Sequence, residues 1–215
     1  MAQRTVHYVF GQILAERCAL DDAPRFLFGS LLPDAIRSKS ERDASHYVFR
    51  GNDGTRYYDF ERFRHDYSTR VPSDPLYLGY YMHLVEDNCY REFCHERYNF
   101  YFISEEEVQA LHRDYHLLNP FLVQRYSLVD RLSMPSDFSD EPLSHLANFD
   151  PAGLRADLTL DFSERPEGSF YLMRPEIMQE YIEITLPIAE AELRAVLRGE
   201  HHLHAADFAW KKEQA

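Results

Sequence analysis

In the stretch YLGYYMHLVEDNCY, His83 and Asp87 stand four residues apart, so on a helix an imidazole and a carboxylate share one face and can converge on one ion. Leu76, Gly79 and Tyr90 fall on the same stripe and turn it toward the core. A carboxylate in that position needs a cation or several hydrogen bonds, and Gly79, one turn earlier, is read as leaving space for an ion. An isolated HxxxD says little. Here, however, three further polar residues interrupt apolar segments: His7 within VHYVFGQIL, Asp34 after FLFGSLLP, and His46 at the head of HYVF. Together the five residues supply the nitrogen and oxygen ligand set that zinc accepts.

These side chains need elements to carry them. From Thr5 to about Ala19, Val6, Val9, Phe10, Ile13 and Leu14 wrap one broad side of an amphipathic helix opposite Gln12 and Glu16, which points His7 inward. The run from Phe26 to Leu32 reads as buried helix, and Pro33 ends it, delivering Asp34 at a buried helix end. A polar loop from Arg37 to Ser45 precedes His46, and Gly51-Asn52-Asp53-Gly54 is a turn. Asp74 followed by Pro75 marks the start of the clearest helix, running to about Tyr98. Ser104 with Glu105, Glu106 and Glu107 starts another, which carries Leu111, Tyr115 and Leu118 and is bounded or kinked by Pro120. Residues 133–174, rich in Pro, Asp and Ser, predict a long irregular excursion with a strand from Leu158 to Phe162. A last helix runs from Pro175 to about Leu197, kinked at Pro187 and stopped by Gly199, before a flexible polar tail over 200–215. The expected architecture is all-α, a multi-helix bundle in one domain spanning 1–215.

Composition narrows the function. Thirty-six acidic residues against 23 basic ones give a formal charge of -13, a field that repels nucleic-acid phosphates and acidic membrane surfaces. No stable nucleic-acid binding is expected, although divalent ions can make a small pocket attractive to phosphate. Cys18, Cys89 and Cys94 are odd in number and lack a CxxC spacing, so they predict buried apolar residues and no disulfide framework. No run of ~18 uninterrupted apolar residues occurs, so no transmembrane segment is expected and a reducing cytoplasm fits best.

In order and context these motifs resemble the bacterial zinc-dependent phospholipase C-like hydrolases, whose helical fold is related to that of single-strand-specific zinc nucleases. The resemblance rests on the early helical His7, FLFGSLLPD ending in Asp34, His46 a dozen residues on, and His83 with Asp87; DYHLLNPFLVQRY from Asp114 to Tyr126 extends it more weakly. It implies one zinc ion held by Asp34, His46, His83 and Asp87, with Asp87 bridging to a second held partly by His7. Asp34 is implied both as ligand and as the residue that orients the attacking water. The family's further ion uses a His and an HxxxE that this chain lacks; His112 and Asp114 are the second-site candidates. The implied activity is phosphodiester hydrolysis of a small phosphorylated substrate or lipid headgroup, with one to two zinc ions as cofactor.

Two other readings stand beside it. His65-Asp66, in ERFRHDYST, is the adjacent pair of HD-type metal-dependent phosphohydrolases, although its polar surroundings favour a solvated helix end. A non-catalytic helical protein with a structural metal closed by four ligands is the third. His201, His202 and His204 are assigned to an exposed C-terminal segment.

Overall fold

A computed structural model of the chain describes residues 2–101 and 104–211. Among them eight α-helices follow in order: α1 (Arg4–Arg17), α2 (Ala23–Leu31), α3 (Arg42–Ser45), α4 (Phe60–Asp66), α5 (Pro75–Tyr98), α6 (Glu105–Arg125), α7 (Pro151–Ser163) and α8 (Pro175–Val196). A three-stranded antiparallel sheet in the order β1 (Val48–Arg50), β2 (Thr55–Tyr58), β3 (Trp210–Lys211) is the only other regular layer described. β1 and β2 form a hairpin across the turn at Gly51–Gly54, with Val48 opposite Tyr58 and Arg50 opposite Arg56, and β3 adds Trp210 opposite Arg56. The class is mainly helical, as the periodicities predict.

The helix starts follow local chemistry. Asp74 caps α5 by accepting from the Leu76 amide, with Pro75 at the first helical position. Ser104 and Glu107 form a reciprocal capping box on α6, which runs on through Pro120 to Arg125. The cap-then-proline signal recurs at Asp150-Pro151, where Asp150 accepts from the Gly153 amide. That start overturns part of the reading of 133–174. Leu158 to Phe162 lie in helix α7, not a strand, and 3₁₀ turns at Phe138–Asp140 and Pro142–His145 give further order to the excursion.

α5 is the axis of the molecule. Every residue from Leu76 to Tyr90 is buried, because α2, α1, α8, α4 and the small sheet surround it. Its closest neighbour is α2, and the two backbones meet at glycines. A Cβ on Gly79 would land on the Phe26 carbonyl oxygen and the Ser30 amide nitrogen, and one on Gly29 would land on the Leu76 carbonyl. Gly79 therefore admits a helix, not an ion, which corrects the expectation that it leaves room for a cation.

The segment after α8 also departs from expectation over its described part. The Glu192 carboxylate accepts from the amides of His202 and Leu203, Glu61 accepts from that of Ala205, and Ala205 and Trp210 are buried. Residues 200–211 are thus docked, and only the remainder of the expected flexible tail lies outside the described residues. Cys89 and Cys94 are buried free thiols and Cys18 is half-buried. Among the described residues no helix is long and apolar enough to cross a membrane.

Because the α2–α5 crossing has no space for a methyl group, Gly79→Ala must push two helical backbones apart. It is expected to cost about 3 kcal/mol, a fall in Tm of roughly 6–12 °C, measured by thermal unfolding. A melting temperature within a degree of the parent would show that the crossing is not tight in solution.

Candidate metal centre

The close crossing has a chemical consequence. It brings the last turn of α2 against α5, so that His83 Nδ1 donates to the Ser30 carbonyl oxygen at 2.8 Å. A carbonyl can only accept, so the proton sits on Nδ1 and Nε2 presents a lone pair. His46, at the end of α3, is held in the same way: its Nδ1 lies 3.2 Å from the Arg42 carbonyl and 2.8 Å from the Ser45 hydroxyl. The Tyr80 hydroxyl, from α5, donates to the Ser45 carbonyl and ties that turn to the same axis. His7 reaches in from α1, its Nδ1 hydrogen-bonded at 2.7 Å to Glu86 Oε2.

All three Nε2 atoms consequently turn toward one interior space shared with two carboxylates. His46 Nε2 lies 3.4 Å from His83 Nε2 and 3.3 Å from Asp34 Oδ1. His83 Nε2 lies 3.5 Å from Asp87 Oδ2, His46 Nε2 3.8 Å from the same oxygen, and His7 Nε2 3.4 Å from Asp87 Oδ1. The edge of a tetrahedron whose metal–ligand bonds are ~2.0–2.1 Å is about 3.3 Å, close to the His46–Asp34, His46–His83 and His83–Asp87 separations, and the five residues fall into two triads that share His83: Asp34–His46–His83 and His7–His83–Asp87. The His7 and His83 rings stack with centroids 3.8 Å apart, and the Ala2 backbone nitrogen donates to Asp87 Oδ1 at 2.7 Å.

Two features of this space call for a cation. The His83 Nε2 lone pair faces Asp87 Oδ2 at 3.5 Å as well as His46 Nε2 at 3.4 Å, and lone pair against carboxylate repels unless something positive lies between them. Asp87 Oδ2 and His7 Nε2 are buried without a hydrogen-bond partner, although a buried carboxylate oxygen left unpaired is costly. The residues present therefore fit a divalent ion bound by nitrogen and oxygen, and each imidazole has a partner on its far nitrogen, as metal-bound histidines do.

The charges of the metal-free cluster point the same way. Burial pushes the Asp87 carboxyl up, but the positive charge of the amino terminus and the neighbouring His7 and His83 imidazoles outweigh it and hold the group well below the usual carboxylate range. Asp34 is likewise held low against its burial by the neighbouring imidazoles, His46 foremost. Burial lowers His46, only partly offset by Asp34, so this imidazole is a ready neutral ligand. For His7 burial also acts downward, but the two carboxylates beside it, Asp87 and Glu86, dominate and raise it to about 10.

Other residues fall elsewhere. Asp114 is buried, but its carboxylate is saturated by the amides of Tyr171, Leu172 and Met173, which it clamps against α6. His112, two residues away, lines a surface cleft instead, so the structure does not bring this pair together as a second site. The His65 side chain is 89% exposed on α4, outside every cluster with metal-ligand spacing among the described residues, which removes the main support for the HD-type alternative. Glu61, His201 and His204 form a separate surface cluster, with Glu61 also bonded to His204.

Two participants lie outside the residue set read from the sequence. Glu86 is fully buried and orients His7. Asn88, also fully buried, grips the backbone of Tyr58 through both ends of its amide and so fastens β2 to α5. The signal was available: no charged residue occurs between Pro75 and Glu86, which marks a helix buried on all sides.

No protein-family model, curated protein or solved structure matches this chain.

Glu86 tests the arrangement directly. Removing its charge with Glu86→Gln is expected to weaken zinc affinity by about 10–100-fold through loss of the orienting partner on His7, measured by competition with a chromophoric chelator. Protons supply a second check. His7 carries one at neutral pH in the metal-free protein and must lose it from Nε2 to bind an ion, so zinc titration to full loading at pH 7 in buffers of different ionisation enthalpy should release about one proton per chain from this group. Zero release would remove His7 from the ligand set.

Proposed function

We propose that the chain is a zinc-dependent hydrolase of small phosphoesters, of the phospholipase C-like kind, holding one to two zinc ions through His7, Asp34, His46, His83 and Asp87. The observation that carries this reading is the shape of the cluster's edge. His7, His46, His83 and Asp87 are fully buried, whereas the Asp34 side chain is 13% exposed and forms part of the wall of a cleft of about 290 Å³. A structural zinc is sealed by its four ligands, while a catalytic one keeps an approach for water and substrate. Asp34 stands where that approach enters, which favours catalysis over the structural-metal alternative.

Bound zinc supplies two things: it lowers the pKa of water it holds, and it withdraws charge from phosphoryl oxygens. The chain's own residues do the rest. Asp34, at the open edge, accepts a hydrogen bond from the attacking water and aims it at phosphorus. Asp87 and the three imidazoles fix the position of the reaction centre, and their buried outer partners keep them from rotating. Arg4, paired with Asp161 at 2.8 Å, lines the cleft with Arg42 and Asn119 and provides donors for the remaining phosphoryl oxygens.

Elemental analysis of the purified protein is expected to give about one to two zinc ions per chain, together with hydrolysis of bis(p-nitrophenyl) phosphate. Asp87→Asn should lower both. Asp34→Asn should retain most of the zinc, since three protein ligands persist, while hydrolysis falls at least about a hundredfold. Full hydrolysis by metal-free protein, or by Asp87→Asn, would sink the proposal.

A further inference from the structure

A second cleft, of about 220 Å³, shares a wall with the first: Arg42, His112 and Tyr115 line both. Beyond that wall it is basic, an anomaly in a chain of net charge -13. Arg50, Arg56 and Arg91 line it along with Arg42, and the single carboxylate in the lining, Asp43, is ion-paired to Arg50. Arg56 makes no side-chain hydrogen bond or ion pair among the described residues. Arg91 packs its guanidinium 4.5 Å from the Trp210 ring centroid, yet its Nε is buried without a hydrogen-bond partner. Arg91 Nε is thus desolvated without an acceptor, which is unfavourable, and half-buried Arg56 faces the same cleft with its charge unmatched; an anion seated there would complete both.

The positions of these arginines follow from the same elements that build the metal cluster. Arg91 is one turn beyond Asp87 on α5, so His83, Asp87 and Arg91 form a single stripe and Arg91 starts about 6 Å further along the axis than Asp87. Arg42 is in α3, four residues before His46, whose ring its carbonyl oxygen helps to hold. Arg56 is in β2, fastened to α5 through the Asn88 clamp, and pairs across the sheet with Trp210. Three separate elements thus aim guanidinium groups at one place beside the proposed reaction site, and the planar fork of arginine matches phosphoryl oxygens in pairs.

We infer that the Arg56–Arg91 cleft binds a second phosphoryl group of the substrate, so that the natural substrate is a small phosphoester carrying at least two phosphoryl groups, one at the metal cluster and one between these arginines. This rests on the reading proposed above for the identity of the first site. A single-stranded nucleic acid also repeats phosphates, but the overall acidic field disfavours so extended a polyanion, whereas a small molecule feels mainly the local basic cleft.

The test uses two flexible probes that differ only in the second group, 1,4-butanediol bisphosphate and butyl phosphate, titrated calorimetrically into zinc-loaded protein. The expected result is binding of the bisphosphate at least about tenfold tighter, with most of that preference lost in Arg56→Gln and in Arg91→Lys, which keeps the charge but not the fork. Arg62→Gln, on the exposed side of α4, should bind like the parent. Equal binding of the two probes, or a preference that survives in both cleft variants, overturns the inference; so does tighter binding of a short oligothymidylate with the same dependence on Arg56. Hydrolysis of bis(p-nitrophenyl) phosphate is followed in parallel. If hydrolysis is absent while the arginine-dependent preference persists, the reaction assignment falls and the anion cleft stands. If hydrolysis persists without the preference, the cleft falls alone.

Discussion

The crossing of α2 over α5 at Gly29 and Gly79 is the constraint on which the rest depends. Each glycine lets the other helix's backbone occupy the volume of a side chain, and that approach brings the Ser30 carbonyl within hydrogen-bonding distance of His83 Nδ1. With that proton committed, the His83 Nε2 lone pair must face inward, toward Asp87 one turn away. α5 then serves as ruler as well as core: its successive turns present Gly79, His83, Asp87 and Arg91 in order along one stripe, so helix packing, the proposed metal ligands and the proposed anion cleft occupy adjacent turns of one element.

Around that stripe the electrostatics are arranged in layers. Three imidazoles and two carboxylates face one another where water is excluded, a grouping whose lone pairs and charges are compatible with burial only when protons or metal ions lie among them. A further layer holds the ligands in place: Glu86 behind His7, the Ser30 carbonyl behind His83, Ser45 and the Arg42 carbonyl behind His46. A proton on His7 offsets part of the carboxylate charge, so protons would compete with the proposed metal for the same centre.

The distribution of charge across the molecule separates interior from approach. Carboxylates dominate the chain as a whole, yet arginines line the cleft beyond the exposed edge of Asp34, and twenty of the 23 basic residues are arginine. The short sheet gains a purpose in this arrangement. Its strands contribute little core, but Asn88 pins β2 to α5 and β3 lays Trp210 under Arg91, fixing guanidinium groups that would otherwise be solvated on long stems.

Much of this was legible one helix at a time. The caps at Asp74 and Ser104, the HxxxD spacing, and the inward faces of His7 and Asp34 are local properties, since backbone hydrogen bonding and the 3.6-residue period act within a few residues. Local patterns also misled: Leu158, Leu160 and Phe162 alternate like a strand, while the start signal at Asp150-Pro151 and the tertiary burial of Leu154, Leu158 and Asp161 make the segment helical. The tertiary structure alone decided that Gly79 receives a helix and not an ion, that Glu86 supports His7, that Asp114 clamps a loop away from the histidine–aspartate cluster, and that Arg42, Arg56 and Arg91 share a cleft. Each of those facts joins residues far apart in the chain. Spacing along a helix shows which side chains can act together on one face, but which face meets which, and which buried charge finds its partner, is decided only when the elements pack.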